Sequence, residues 1–385
     1  MKDSLHGLKV IDFTQIVAGP TCTMMLADRG ADVIKIESLK GDLSRQLGPW
    51  KNGESIMFSS MNRNKRSVVL DLKKVEHVDA AERLIMEADI LVESFRPGVM
   101  ERLGLGYETL RAVNPKLIYC SISAFGQRGP GKEKPGVDGI IQAVSGLMSV
   151  TGAANGEPTK VQPPIVDTVT GFLGTIAILD ALRVRDKTGQ GQWLDVNMFA
   201  SAIQLQQTAF ASYFATGEVP SPNGSAAPYA APNEAYPTQD GWIMVAAYHD
   251  QRWRAFCSVL QLESLLDDER FLTLSGRVQY RKELFDLVSN RLRARPTAEW
   301  LTLLSAADII CGPVNNYAQV VRMPEFMESD LMVKMNHSEA GEIDLIGPMR
   351  NPLYEEPCAQ TVRSSPRLGE HNQEVLAQLL GAVAI

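Results

Sequence analysis

The sequence lacks clustered cysteines. Its five cysteines, in 385 residues, stand singly, with no CxxC pair and no histidine–cysteine cluster at zinc-ligand spacing. A zinc site and a disulfide-stabilised secreted fold are both disfavoured by this pattern. The start of the sequence also shows no apolar stretch behind a basic segment, which a signal peptide would need. We therefore expect a cytoplasmic protein with reduced thiols and no metal.

Common catalytic motifs are missing as well. The first predicted strand is followed by Thr14-Gln15-Ile16-Val17-Ala18-Gly19-Pro20 instead of GxGxxG, so nicotinamide chemistry loses its local signature. No GxxxxGK[ST], HExxH or GxSxG motif occurs. P-loop hydrolysis, zinc proteolysis and a nucleophile-elbow esterase are disfavoured in the same way.

Positive charge is in short supply. Lysine and arginine number 38 against 45 aspartates and glutamates, a formal net charge of -7, which argues against nonspecific nucleic-acid binding. The most apolar of the long segments, Ile165–Leu182, contains Asp167 and Asp180, which makes it poor material for a membrane span. We expect a buried helix there, and neither nucleic acid nor membrane as a partner.

Strands and helices alternate through the first part of the chain, which predicts an α/β fold with a doubly wound parallel sheet. Leu8–Phe13, Pro20–Arg29 and Asp32–Glu37 form a strand–helix–strand unit. Further strands are predicted at Ser67–Leu72, Ile90–Phe95 and Leu117–Ala124, with helices at Val75–Ala88 and Tyr107–Val113.

Length and composition predict more than one domain. Residues 1–216 form the predicted large domain, and residues 217–237, rich in Gly, Pro, Ser, Asn and Ala, a linker or mobile loop. A strand at Gly241–Ala247 and a helix at Gln251–Leu260 then predict a smaller α+β domain over residues 238–324.

Asp167 lies at the start of the best-marked helix, which ends at Gly189 after three basic residues. A carboxylate in a first turn is favoured in its ionised form by the helix dipole and the free amides. Gly171 and Gly174 share a helical face with it and would leave a smooth surface for a ligand. From the residues alone, an ordinary helix cap over a glycine-lined packing face is the stronger interpretation.

Short motifs spread over nearly the whole chain resemble the class III CoA-transferase family (CaiB/BaiF), which contains formyl-CoA transferase and carnitine CoA-transferase. Each motif is weak alone, and their order and spacing carry the resemblance. They are Leu8–Phe13 with Ala18-Gly19-Pro20, Gly30–Glu37, Asn64–Ser67, Pro97-Gly98 with Arg102, Gly189–Gln192, Cys311–Val314 and Leu368–His371.

The resemblance implies a large Rossmann-like domain completed by residues 325–385, a smaller domain between, and two chains interlocked as rings in a homodimer. It also implies that Asp167 is a covalent nucleophile that passes through an anhydride and an aspartyl-CoA thioester. The substrates would be an acyl-CoA, with succinyl-CoA as the donor suggested by the family, and a carboxylic acid. No tightly bound cofactor is expected.

The CoA-binding residues implied by the resemblance are Val17, Ala18, Leu70, Lys73, Ser94, Phe95, Arg96 and Arg102, with Asp138 as a helix cap or substrate contact. These residues follow predicted strands, where doubly wound sheets bind ligands, and the three cations suit phosphates. The alternative is that Lys73 and Arg102 are solvated surface charges. Lys65 and Arg66 can be structural, phosphate-binding, or both.

The sequence departs from formyl-CoA transferase at three of these places. That family member has glutamine where Val17 stands, arginine where Ser38 stands and asparagine where Ser94 stands, and its glycine run over the site has no counterpart here. Specificity for formyl or oxalyl groups is therefore not expected.

Two other functions remain open. The α-methylacyl-CoA racemases of this fold need a histidine before the aspartate that matches Asp138, whereas this chain has Val137, which cannot move a proton. The second alternative is a non-catalytic CoA-binding protein in which Asp167 is structural. Transfer is the favoured function.

Overall fold

The computed structural model describes residues 4–348 and 362–380. The described parts of residues 1–148, 160–218 and 327–385 form one compact unit, and Ser149–Thr159 with Val219–Phe326 form a second.

Thirteen strands occur in the described residues. They are β1 (Lys9–Phe13), β2 (Asp32–Glu37), β3 (Trp50–Lys51), β4 (Glu54–Ser55), β5 (Lys65–Val69), β6 (Ile90–Glu93), β7 (Ile118–Ser123), β8 (Trp193–Asn197), β9 (Asn233–Pro237), β10 (Trp242–Ala246), β11 (Ile310–Pro313), β12 (Met332–His337) and β13 (Gly341–Ile346).

The same residues contain sixteen α-helices and three 3-10 helices. The α-helices are α1 (Ala18–Ala27), α2 (Ile56–Asn62), α3 (Val75–Met86), α4 (Val99–Arg102), α5 (Tyr107–Val113), α6 (Asp138–Val144), α7 (Ile165–Thr188), α8 (Met198–Leu205), α9 (Gln207–Thr216), α10 (Asp250–Leu260), α11 (Leu274–Gln279), α12 (Arg281–Leu292), α13 (Thr297–Ala306), α14 (Tyr317–Val320), α15 (Pro324–Met327) and α16 (Asn372–Leu380). The 3-10 helices are Leu43–Gln46, Leu147–Val150 and Glu263–Leu266.

A six-stranded parallel sheet is the centre of the first unit, with the spatial order β5-β2-β1-β6-β7-β8. Numbered along the chain within this sheet, the order is 3-2-1-4-5-6, that of dinucleotide-binding folds. The order reverses between β1 and β6, so a crevice for ligands is expected at their carboxyl ends. The predicted α/β class and parallel sheet are confirmed.

The two faces of this sheet are covered separately. Because alternate residues of a strand point to opposite faces, Ile11 and Phe13 join a core with α3 and α5, while Val10 joins one with α1 and α7. Burial on both faces explains the nearly continuous apolar strands from which the sheet was predicted. The last strand, β8, was missed because its residues Trp193–Asn197 are mostly only half-buried and include the exposed Asp195.

Helix α7 packs closely on α1 through its glycines. A β-carbon on Gly171 would lie 2.7 Å from the Ala18 carbonyl oxygen, and one on Gly174 would lie 3.3 Å from Cys22 Sγ. The interpretation of these glycines as a packing face is confirmed, and the smooth ligand surface was wrong, because the neighbouring helix occupies the space beside them. By length and composition α7 could cross a membrane, but one of its faces lies in this core.

Lys65 and Arg66 both form ion pairs, one buried and the others partly exposed. Lys65 Nζ lies 3.0 Å from Asp12 Oδ2 with both side chains fully buried, and Arg66 pairs with Asp32 and Glu374. The buried pair makes Lys65 a structural residue, while Arg66 is held by two partly exposed carboxylates.

The described C-terminal residues cover the open edge of β5. The Asn372 Oδ1 atom accepts a hydrogen bond from the Val69 amide at 2.8 Å, and the Ser67 amide donates to His371 Nδ1 at 3.2 Å. Such contacts provide hydrogen-bond acceptors for backbone amides that an edge strand would otherwise leave unpaired.

The second unit contains the antiparallel sheet β11-β10-β9 and a core with α10, α12 and α13. Its strand β9 occupies the last five residues of the segment predicted as a linker or loop. This strand was not predicted because proline and asparagine are uncommon in strands. Pro237 is tolerated because β9 lies at the edge of the sheet. Ser149–Thr159, placed by sequence in the large domain, clusters with this second unit.

Candidate active site

Asp167 is the third residue of α7, and the start of that helix is capped by another carboxylate. Asp138 Oδ2 accepts hydrogen bonds from the backbone amides of Val166 at 2.9 Å and Asp167 at 3.2 Å. Pro164, which precedes the helix, supplies no side-chain cap. Asp138 therefore stabilises the helix that carries Asp167.

Gln142 holds Asp138 in this position. Its Nε2 donates to Asp138 Oδ1 at 2.5 Å and to the Val161 carbonyl at 3.2 Å, while its Oε1 accepts from the Val161 amide at 2.9 Å. Gln142 is fully buried. The carboxylate of Asp138 is thus fixed on both oxygens.

The prediction that Asp138 caps its own helix was wrong. Asp138 is the first residue of α6, whose N-cap is Val137 and has no side-chain hydrogen bond. The backbone amides that donate to Asp138 belong to α7 instead, 28 and 29 residues further along the chain.

Burial and, to a smaller extent, the negative charge of Asp138 raise the pKa of Asp167 to about 7. The sequence had predicted that the helix start would favour the ionised form. The direction is reversed because burial disfavours the charged carboxylate and Asp138 adds a like charge. The first-turn amides that could offset these effects donate to Asp138 instead. Asp167 is therefore a carboxyl group that changes charge near neutral pH.

A cavity of about 270 Å³ lies at the carboxyl ends of β5, β2, β1 and β6, on both sides of the point where strand order reverses. Its lining residues are Phe13, Thr14, Gln15, Ile36, Glu37, Ser38, Gly41, Asp42, Leu70, Asp71, Leu72, Lys73, Phe95, Val99 and Leu103.

Three of the predicted CoA-binding residues line this cavity. Leu70 is buried in the wall, Lys73 is exposed at the rim, and Phe95 packs on Phe13 with ring centroids 6.3 Å apart.

The other predicted residues lie around the cavity without lining it. Ser94 Oγ accepts a hydrogen bond from the Gln15 amide at 3.1 Å, which ties the turn after β6 to the turn after β1. Val17 and Ala18 are buried at the start of α1. Arg96 and Arg102 are exposed, and neither pairs with a carboxylate in the described part of the chain.

The turn between β1 and α1 connects the cavity to α7. Thr14 and Gln15 line the cavity, and the carbonyl of Ala18 contacts Gly171, one helical turn after Asp167. Asp167 itself does not line the cavity, but the segment that does leads directly into α1, which packs on α7 one turn after Asp167.

Sequence reasoning missed Thr14, Gln15, Asp42 and Gln142. Thr14 and Gln15 directly follow β1, so the rule that ligands bind beyond strand ends could have identified them. Gln142 stands four residues after Asp138, which places both on one face of α6. No local signal marks Asp42.

In the residues described, His, Cys, Asp and Glu form no group of three or more that could hold a metal ion. The described residues thus offer a half-buried carboxyl group with a raised pKa, a fixed neighbouring carboxylate and a cavity at strand ends with cations near its rim.

Comparison with known proteins identifies the family. Residues 5–372 match the sequence model of CoA-transferase family III. The chain belongs to this family. It is accordingly a CoA-transferase, and the resemblance inferred from the motifs is confirmed.

Relatives of this CoA-transferase have similar length and fold. The human succinyl-CoA:glutarate CoA-transferase is 35% identical over 378 residues, 98% of this chain and 86% of the relative. A succinate–glutarate CoA-transferase of Agrobacterium fabrum is 36% identical over 389 residues, 98% of this chain and 96% of the relative. A crystal structure of a CaiB/BaiF family protein from Brucella suis matches with a TM-score of 0.87 and 34% identity, covering 98% of this chain and 100% of that one.

Proposed function

We propose that this protein moves CoA from succinyl-CoA to a dicarboxylic acid such as glutarate, with Asp167 as the covalent nucleophile. The observation that carries the proposal is the position of Asp167 in the first turn of α7, where Asp138 holds its backbone amide and where α7 packs on α1, the helix that follows the cavity-lining turn. The choice of substrates rests on the names of the human and Agrobacterium relatives.

The first half-reaction starts with the ionised Asp167 carboxylate. One of its oxygens attacks the thioester carbonyl carbon, the carbon–sulfur bond breaks, and CoA thiolate leaves a mixed anhydride. The thiolate then attacks the Asp167 carbonyl carbon, which breaks the anhydride bond, releases succinate and leaves an aspartyl-CoA thioester. The acceptor carboxylate repeats these steps in reverse order. One thioester and one carboxylate replace another such pair, so no phosphate donor is needed.

Asp138 positions and tunes this nucleophile. Because Asp138 holds the first-turn amides and Gln142 holds Asp138, the peptide of Asp167 is fixed while its own carboxyl oxygens accept none of these bonds. A carboxylate whose pKa is raised is more basic, and therefore more nucleophilic once ionised.

CoA would bind along the strand ends. Leu70 and Phe95 supply apolar walls, while Lys73, Arg96 and Arg102 supply positive charge for its phosphates. Val17, Ala18 and Ser94 would shape the turn next to it.

An interlocked homodimer, with residues 325–385 returning to the large domain, is part of the proposal. The described chain leaves apolar side chains exposed on two helices, including Phe172 at 44% and Ile176 at 60% on α7, and Phe214 at 78% on α9. Such exposure supports coverage by a second copy. A cytoplasmic location is also proposed, supported by Cys22 and Cys120, which are buried free thiols.

Purified protein with succinyl-CoA and glutarate tests the function. We expect glutaryl-CoA to form, and Asp167→Ala to abolish its formation while CoA still binds. Retained transfer in Asp167→Ala would refute the nucleophile. Exchange of the α-proton of a 2-methylacyl-CoA with deuterated water, without transfer, would instead indicate a racemase, for which Val137 offers no base.

A further inference from the structure

Ile16 has a backbone conformation that is unusual for its residue type. Its φ angle is +70°, in the left-handed region that glycine and asparagine tolerate and that a β-branched residue rarely adopts. Strained backbone of this kind persists only where the surrounding structure holds it, and it concentrates at functional sites. Ile16 lies between Gln15, which lines the cavity, and α1, which begins at Ala18.

A buried carboxylate from the neighbouring loop holds Ile16 in place. Asp42 Oδ1 accepts a hydrogen bond from the Ile16 amide at 3.1 Å, although Asp42 belongs to the segment after β2. The same oxygen caps the 3-10 helix Leu43–Gln46 through the amide of Ser44 at 2.8 Å. Asp42 is thus held by a residue of its own loop, Ser44, and it also binds the turn between β1 and α1 at Ile16.

Lys35 completes the connection between the two loops. Its Nζ lies 2.8 Å from Asp42 Oδ2 and donates to the Thr14 carbonyl at 2.8 Å. The Thr14 amide and hydroxyl in turn donate to Asp12 Oδ1 at 2.8 and 2.6 Å. The side chains of Lys35 and Asp42 are fully buried, so water does not compete for these bonds.

We propose that Asp42 is a positioning residue for acyl-CoA binding, which acts by holding Ile16 in its left-handed conformation and so fixing the turn between β1 and α1. This inference rests on the proposed binding of CoA in the strand-end cavity. Asp42 lines that cavity, so a direct contact with CoA is the competing explanation.

The test compares Asp42→Asn with Ser44→Ala, which removes a hydroxyl from the same Asp42 oxygen without changing the Ile16 contact. CoA binding is measured by calorimetry, and KM and kcat by transfer from succinyl-CoA. We expect Asp42→Asn to raise Kd and KM about tenfold, as when a charge-assisted hydrogen bond is lost, and to leave kcat within about threefold. The Kd of the Ser44→Ala protein for CoA should stay within about twofold of that of the unchanged protein.

Adding Ile16→Gly distinguishes positioning from direct contact. Glycine adopts a positive φ without strain. Adding Ile16→Gly to the Asp42→Asn protein should therefore lower its Kd for CoA at least about threefold. No recovery, or normal CoA affinity in folded Asp42→Asn, would overturn the proposal. If Asp42→Asn does not fold, Asp42→Glu keeps a charge beside Lys35 but displaces the acceptor oxygen. It should also weaken CoA binding with kcat retained, and normal affinity would again overturn the proposal.

Failure of the underlying function gives a different result. If the unchanged protein neither binds CoA nor transfers it, the proposed function fails. If the unchanged protein does both and Asp42→Asn does so equally well, only the role of Asp42 fails.

Discussion

The carboxylate of Asp138 accepts a hydrogen bond from the backbone amide of Asp167, with 3.2 Å between the oxygen and the nitrogen. Two carboxyl groups therefore meet at the start of one helix with unequal surroundings. Asp138 is stabilised by two amides and by Gln142, whereas burial and the charge of Asp138 raise the pKa of Asp167. Unequal surroundings of this kind assign different roles to paired carboxyl groups.

Asp138→Asn should shift the pH dependence of transfer. In the proposed mechanism Asp167 must be ionised to attack, so the rate should fall as pH drops through its pKa of about 7. Removing the charge of Asp138 lowers that pKa, although burial still keeps it above 3.8, so kcat/KM should persist to lower pH. The control is Asp180→Asn, an exposed charge on the same helix roughly 20 Å away. An unchanged acidic limb in Asp138→Asn would contradict the electrostatic role of Asp138.

Gly171→Ala should destabilise the protein. The new β-carbon would lie 2.7 Å from both the Ala18 carbonyl oxygen and Thr21 Cβ, so helices α1 and α7 must separate, at a cost of about 2 kcal/mol. Gly139→Ala in α6 is the control, because its β-carbon would meet only Lys160 Cδ at 3.9 Å. Thermal unfolding should show a lower midpoint for Gly171→Ala alone, and equal midpoints would show that the helices are not in close contact.

Glu93→Gln should stabilise the protein at high pH. Burial at the end of β6 raises the pKa of Glu93 to about 7 from 4.5. In this interval the folded state holds a proton that the unfolded state has lost, so stability falls as pH rises from 4.5 to 7. Glutamine avoids this loss and can still accept from the Phe95 amide, which should raise the free energy of unfolding at pH 8 by roughly 2 kcal/mol. At pH 4 the gain should vanish.

Glu133→Gln, on an exposed loop, is the control for the Glu93 substitution and should change stability little at either pH. Denaturant titrations at pH 4 and pH 8 measure both variants. A gain in Glu93→Gln that is equal at the two pH values would show that its carboxyl pKa is not raised.

Lys73→Ala should weaken acyl-CoA binding. Lys73 lies at the cavity rim and has no carboxylate partner in the described residues, so its charge is available for a phosphate. We expect KM for succinyl-CoA to rise about fivefold, with a smaller difference at high salt. Lys74→Ala provides a matched control, since Lys74 is also exposed but does not line the cavity. Equal KM values for the two variants would make Lys73 an ordinary surface charge.

The sequence predicted the sheet well and the contacts between distant segments poorly. Strand β2 and helix α5 have the predicted bounds, because apolar periodicity and turn residues are local signals. The bond from Asp138 to the start of α7 and that from Asp42 to Ile16 join residues 29 and 26 positions apart, and no local pattern specifies them.

Burial explains the remaining errors at the site. The helix position of Asp167 was predictable, but the direction of its pKa depends on how much water the fold excludes and on which group takes the first-turn amides. The spacing of Gly171 and Gly174 did predict a packing face, but it did not reveal that α1 is the helix packed there.

Trapping with hydroxylamine during turnover tests the central claim most directly. An aspartyl anhydride or aspartyl thioester reacts with hydroxylamine to give a hydroxamate, whereas a free carboxylate does not. With succinyl-CoA present, peptide mass spectrometry should find the hydroxamate on Asp167, accompanied by loss of activity, and none without succinyl-CoA. An unmodified Asp167 while transfer proceeds, or a hydroxamate on another residue, would contradict the account.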